Sequence, residues 1–240
     1  MTRSSSRVAL ITGASRGIGY AAAIALAKAG VEIIATARTV GGLEELDDAI
    51  TALGGKATLV PMDLADRPAM AKLANAIHER WGRLDVMVAN AGVLGVLTPA
   101  SHMDEETWDE VIDINLSAVW RMIRVFDPLL RLSPSGRAIL MTSTAADGRG
   151  YPYWSAYAAS KAGLEALGQC WAAEVASTPL KVNILNPGGV ATRMYASAYP
   201  GADLAAMTQP DDISPAFVKL AAEDCPYHGE ILRASQLTGS

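Results

Sequence analysis

Tyr157 and Lys161 stand four residues apart in Ser155-Ala156-Tyr157-Ala158-Ala159-Ser160-Lys161. On a helix that spacing puts both side chains on one face, one turn apart. A free tyrosine, with a pKa of about 10, is a poor proton carrier at neutral pH. An ammonium beside it favours the phenolate. The pair therefore reads as a general acid/base for a carbonyl or an alcohol. Far upstream lies a second chemical feature, Thr12-Gly13-Ala14-Ser15-Arg16-Gly17-Ile18-Gly19. Glycines between a strand and a helix let backbone N–H groups close on a pyrophosphate, with the helix dipole behind them. A tight turn with close helix packing is the alternative.

Which dinucleotide would bind is decided at the end of the next strand-like run. A carboxylate there would hold the adenosine ribose 2′-OH and repel a 2′-phosphate. The run ends Ala35-Thr36-Ala37-Arg38 and carries none. Arg38 can pair with a phosphate through its planar fork, and Arg16 in the glycine turn could reach the same phosphate. Both point to NADP(H) rather than NAD(H). Solvated surface arginines are the bland reading of each.

These residues require elements to hold them. Short apolar runs at 8–12, 32–37, 56–61, 84–89, 137–142 and 180–186 read as strands, with 230–234 as a last one. Residues 17–29, 43–53, 68–81, 104–132 and 155–176 read as helices between them. Asp104 is the expected N-cap of the long one, and Pro128 is expected to bend its end. After Pro187 the periodicity fades. Residues 197–209 read as loop or short helix, and 211–223 as helix. Strand-helix alternation predicts an α/β fold with parallel strands and helices on both faces. No linker or repeat interrupts it, so residues 1–240 are expected to form one domain.

Composition agrees and excludes other classes. The chain has 240 residues, half of them hydrophobic and 19% charged. That is too apolar for a disordered tail and long enough to bury a core without disulfides. Cys170 and Cys225 stand far apart and read as free. Twenty-five acidic residues against 20 basic ones give a net charge of −5, with no basic run to track nucleic acid. No apolar stretch is long enough for a membrane helix. Met1-Thr2-Arg3-Ser4-Ser5-Ser6-Arg7 lacks the apolar core of a signal peptide. The expected compartment is the cytoplasm. His78, His102 and His228 have no ligand spacing, so no metal is expected.

Together the motifs resemble the short-chain dehydrogenase/reductase family. The residues that carry the resemblance are Thr12-Gly13-x-x-x-Gly17-x-Gly19, Asn90-Ala91-Gly92, Asn115, Ser143, Tyr157-x-x-x-Lys161 and Pro187-Gly188, in the family's order. The resemblance implies a three-layer Rossmann-like, doubly wound sheet of about seven mostly parallel strands in the order 3-2-1-4-5-6-7. It also implies roles. Tyr157 would exchange the proton with the substrate oxygen, and Ser143 would hydrogen-bond that oxygen. Lys161 would bind the nicotinamide ribose and lower the Tyr157 pKa. Asn115 would hold a water through its main chain. Gly13, Ser15, Arg16, Gly17, Ile18 and Gly19 would cradle the phosphates. Arg38 would take the 2′-phosphate, Asp63 the adenine amino group with Leu64 beside it, and Asn90, Ala91 and Gly92 the adenosine side. Pro187, Gly188, Val190 and Thr192 would touch the nicotinamide half.

Several positions keep a structural alternative. Asp63 could cap a turn, Asn115 could be a satisfied buried amide, and Thr192 could cap a helix. Ala89 stands where the family often has asparagine. Ser143 lies one residue further from Tyr157 than the family's usual spacing, which leaves Thr144 as the other candidate hydroxyl. The family's glycine-rich ending is absent. Tyr151, Tyr153 and Trp154 before Tyr157, and Met194, Tyr195 and Tyr199 within or beside the expected substrate region 192–209, suit an apolar or aromatic carbonyl or alcohol. An interface role would suit them too. Arg149 and Arg193 leave an acyl-carrier thioester open. The family implies a homotetramer or homodimer. The rival to an NADP(H)-dependent oxidoreductase is a non-catalytic NADP(H)-binding or scaffold protein on the same fold.

Overall fold

The structure, a computed structural model, describes residues 6–239. The reading of the first residues as lacking a leader concerns 1–5 in large part, which lie outside the described residues, as does Ser240. Seven strands form one sheet in the order β3-β2-β1-β4-β5-β6-β7. They are β1 Val8–Thr12, β2 Glu32–Ala37, β3 Ala57–Pro61, β4 Val86–Ala89, β5 Arg137–Met141, β6 Lys181–Asn186 and β7 Ile231–Arg233. All six pairings are parallel.

The strands read as unbroken apolar runs because helices cover both faces of the sheet. Adjacent residues point to opposite sides. Leu10, Met87 and Leu140 join one core with Met70 of α3 (Arg67–Trp81), Phe126 of α5 (Ala118–Arg131) and Trp171 of α6 (Ser155–Val175). Their neighbours Ile11, Val88 and Ile139 join the other with Leu26 of α1 (Gly17–Lys28), Leu46 of α2 (Val40–Ala52) and Phe217 of α8 (Pro210–Ala221).

The expected helix 104–132 is not one continuous α-helix. Asp104 does cap it, accepting the Thr107 N–H at 2.7 Å. But α4 (Glu105–Ile112) gives way to a π turn, Asp113–Ser117, before α5 begins. There the Ala118 N–H donates to the Asp113 carbonyl, one residue beyond α spacing. α5 then runs through Pro128 to Arg131. β4 begins at Val86, two residues later than expected, and the Leu84 N–H bonds the Leu129 carbonyl instead of a strand. Asp85 beside it is buried and accepts from Val8 N, Arg83 Nε and Ser133 Oγ.

In the 192–209 region the chain forms α7 (Arg193–Ala198) and one 3-10 turn, Leu204–Ala206. The tail is held by His228. Its Nδ1 accepts the Val182 N–H at 3.2 Å, so Nε2 carries the proton and meets the Ala172 carbonyl at 3.0 Å. α9 (Ala234–Thr238) ends the described chain. Among the described residues no helix is long and apolar enough to cross a membrane, and no group of three or more His, Cys, Asp or Glu could hold a metal.

Candidate active site

The C-terminal ends of the parallel strands carry the chemistry, as such sheets require. β1 ends at Thr12, whose hydroxyl accepts the N–H groups of Asn90 and Ala91, each at 3.0 Å. The Asn90 amide returns the contact, donating to the carbonyls of Thr12 at 2.9 Å and Gly13 at 3.3 Å. The glycine turn is thereby fixed against the end of β4. Gly13 and Gly17 have φ of 66° and 57°, a left-handed backbone that side chains disfavour. A Cβ on Gly13 would come within 2.9 Å of Asn90 Nδ2. One on Gly19 would collide with the Gly13 carbonyl and lie 2.5 Å from Asn90 Nδ2. Gly19 is therefore a packing glycine, and its backbone does not line the cavity below.

A first cavity of about 590 Å³ opens above this turn. It is lined by the expected Gly13, Ser15, Arg16, Gly17, Ile18, Arg38, Asp63, Leu64, Asn90, Ala91, Gly92, Tyr157, Lys161, Pro187 and Thr192. Among the described residues, its charged side chains are Arg16, Arg38, Lys161 and Arg193 against one carboxylate, Asp63, which also accepts the Ala65 N–H. Thr36 lines it too, and its Oγ1 is buried with no hydrogen-bond partner among the described residues. A glycine cradle at a helix N-terminus, an excess of cations and an orphaned hydroxyl fit a phosphate-rich dinucleotide.

A second cavity of about 300 Å³ adjoins it. Ile18, Thr142, Tyr157, Pro187, Thr192 and Met194 line both. Gly188 and Val190 line only the second, together with Ser143, Thr144, Tyr151, Trp154, Tyr195 and Tyr199. Tyr153 does not join them. It has φ 73°, is 58% exposed, and offers its carbonyl to Thr98 N. Trp154 meets Tyr157 edge-on at 5.7 Å between centroids and Tyr199 at 5.8 Å, and Tyr199 lies 4.8 Å from Tyr195.

Between the cavities stands the Tyr157 and Lys161 pair on α6. Burial pushes the Tyr157 phenol up, while a hydrogen bond with the Ser143 side chain pulls it back. Thr144 instead directs its hydroxyl to Asn186 Oδ1 at 3.4 Å. Of the two candidate hydroxyls, Ser143 is thus the one beside Tyr157. The Lys161 ammonium is pushed down to about 8 by desolvation. It donates to the Met141 carbonyl at 2.8 Å and sits 5.8 Å from the Tyr157 ring. Burial, not the ammonium, dominates the phenol here, contrary to the expectation from spacing alone.

Asn115 sits in the π turn, fully buried, and lines neither cavity. Its amide clamps Val93: Oδ1 accepts the Val93 N–H at 2.8 Å and Nδ2 donates to the Val93 carbonyl at 2.9 Å. Nδ2 also meets Ser160 Oγ, which donates to the Tyr157 carbonyl at 2.7 Å. A Cβ on Gly92 would lie 3.0 Å from Asn115 Oδ1 and 3.6 Å from Lys161 Nζ, which shows how closely the three pack. Thr192 caps α7, accepting Tyr195 N at 3.1 Å, while still lining both cavities.

Three contributors escape sequence reasoning. Asn186 Oδ1 accepts Gly188 N at 3.0 Å and sets the turn after β6. Its place two residues before a glycine is an Asx-turn signal that could have found it. Ser160 joins Asn115 to Tyr157. Thr142 lines both cavities and donates to Glu165 Oε1 at 2.7 Å.

Comparison with known proteins adds an independent line. A family model described as short chain dehydrogenase matches residues 7–203. The uncharacterized oxidoreductase YciK of Escherichia coli K12 is 34% identical over 221 residues, covering 91% of this chain and 87% of that one. A (−)-trans-carveol dehydrogenase of Rhodococcus erythropolis is 35% identical over 206 residues, covering 81% and 74%. A short-chain dehydrogenase of Shigella flexneri 2a, solved in complex with NADP, superposes with a TM-score of 0.91 at 33% identity, covering 95% of this chain and 97% of that one.

Proposed function

The chain belongs to the short-chain dehydrogenase family of oxidoreductases, and from that premise we propose that it is an NADP(H)-dependent reductase or dehydrogenase acting on a carbonyl/alcohol pair. The observation that carries this reading is Tyr157 at the junction of a cation-rich cavity and an uncharged one, with Ser143 lining the uncharged one beside it. Tyr157 gives its proton to the carbonyl oxygen, or takes it from the alcohol in reverse. Ser143 donates to the same oxygen and stabilises its developing charge. When bound, the nicotinamide supplies or receives the hydride at the carbonyl carbon. Lys161 places a buried positive charge near the phenol and would hold the ribose hydroxyls. Asn115 and Ser160 hold the Lys161 and Tyr157 helix against the Val93 backbone.

Arg38 and Arg16 select the 2′-phosphate, a choice supported by the NADP complex of the Shigella flexneri relative. The side chains of the second cavity suit an apolar or aromatic carbonyl compound. A homodimer or homotetramer accords with the exposure of Trp108 on α4 and Trp120 on α5, 39% and 48%.

A ketone panel followed by NADPH absorbance tests the proposal. Tyr157→Phe is expected to abolish turnover while NADPH affinity, read by fluorescence titration, stays unchanged. Activity that survives it removes Tyr157 from the proton step. Arg38→Asp should weaken NADPH at least ten-fold more than NADH, roughly the worth of one charge-assisted phosphate contact. Equal losses would remove Arg38 from cofactor choice. Tight NADPH binding with no turnover across the panel would favour a non-catalytic binding protein.

A further inference from the structure

The second cavity narrows the substrate further, and this inference rests on the carbonyl-reductase reading above. Among the described residues, no side chain lining it carries a formal charge. Arg149 pairs with Asp147 at 3.3 Å, and Arg193 lines the first cavity but not the second. A carboxylate or an acyl thioester's phosphates would lose water there and meet no cation. Rings take the place of charges. Trp154 joins the Tyr157 phenol, at 5.7 Å and 72°, to Tyr199 and through it to Tyr195 of α7. The Trp154 carbonyl accepts Ala158 N at 2.8 Å, which fixes its backbone at the start of the helix that carries Tyr157.

We propose that Trp154 is the specificity-determining residue of this cavity, holding a wall of rings that selects uncharged ring ketones over keto acids and acyl thioesters. A flat ketone lies against this wall with its oxygen at the Tyr157 and Ser143 hydroxyls. One carbonyl, one NADPH and one proton are consumed, and one alcohol and one NADP⁺ are formed.

The test uses three probes with the full-length protein: 1-tetralone, phenylpyruvate and acetoacetyl-CoA. Binding of the product alcohol 1-tetralol is measured by calorimetry, a readout independent of turnover. The highest kcat/KM is expected for 1-tetralone. Trp154→Ala should raise its KM, and weaken 1-tetralol, by about ten-fold with NADPH affinity intact. Trp154→Phe should recover most of the loss, which separates the wall from a folding defect. Faster turnover of phenylpyruvate or acetoacetyl-CoA, with Tyr157→Phe still inactive, overturns the proposal and leaves the reductase reading standing. So does unchanged 1-tetralol binding in Trp154→Ala. Absence of turnover with every probe overturns the reductase reading instead, while 1-tetralol binding still judges the wall.

Discussion

Lys161 holds a buried ammonium at the wall of the first cavity. Desolvation brings its pKa down from 10.5 to about 8, and in return it donates to the Met141 carbonyl. The folded state therefore binds its proton less readily than the unfolded chain. Below about pH 8 both states hold the proton and the full burial cost is present. Between pH 8 and 10.5 the unfolded chain alone keeps it, so stability from this group rises with pH across that window. Lys161→Met removes the cost. It is expected to stabilise the protein at pH 7 by on the order of 2 kcal/mol, with the lost Met141 hydrogen bond already subtracted. The gain should shrink as melts are repeated from pH 8 upward, and turnover should vanish. A variant less stable than the parent at pH 7 would show that the ammonium's bond outweighs its desolvation. The Tyr157 phenol moves the other way. Burial raises it, so it stays protonated through neutral pH and is ready to donate.

The elements matter through how tightly they meet. α1 approaches the end of β1 so closely that a methyl on Gly19 would strike the Gly13 carbonyl and the Asn90 amide. Gly19→Ala is expected to cost about 1–3 kcal/mol by overpacking. It should also lose NADPH binding, because the shifted helix carries the cradle with it. Normal NADPH titration in a folded Gly19→Ala protein would show that the turn tolerates the shift. The strands that set up this contact were legible because each buries both faces, as Leu10 and Ile11 do in adjacent positions. Tyr157 and Lys161 were legible because four residues is a helical turn. The π turn was not, because Val111, Asn115, Ala118 and Met122 keep an apolar or buried face running past the extra residue. α7 was not, because none of its residues is buried and so no period marks it. Asn186 and Ser160 hid for a third reason. Ser160's partner Asn115 lies 45 residues away in the chain, and the long-range contact of Asn186, to Thr144, lies 42 away, so only its local turn to Gly188 leaves a mark in the sequence.

The molecule as a whole divides the mouth of its sheet into two rooms with one shared wall. Ile18, Thr142, Tyr157, Pro187, Thr192 and Met194 face both. The cation-rich room lies on one side of Tyr157, and the ring-lined room lies on the other. A planar ketone resting on the rings, with its oxygen held at Tyr157 and Ser143, can turn only one of its two faces toward the cofactor side. The division thus has a chirality of its own. Reduction of 1-tetralone should give one enantiomer of the alcohol in large excess. A ratio of about 99:1 would correspond to roughly 2.7 kcal/mol between the two modes of approach. Chiral chromatography of the product reads it directly, and a racemic product would mean that the ketone enters the ring-lined room either way up.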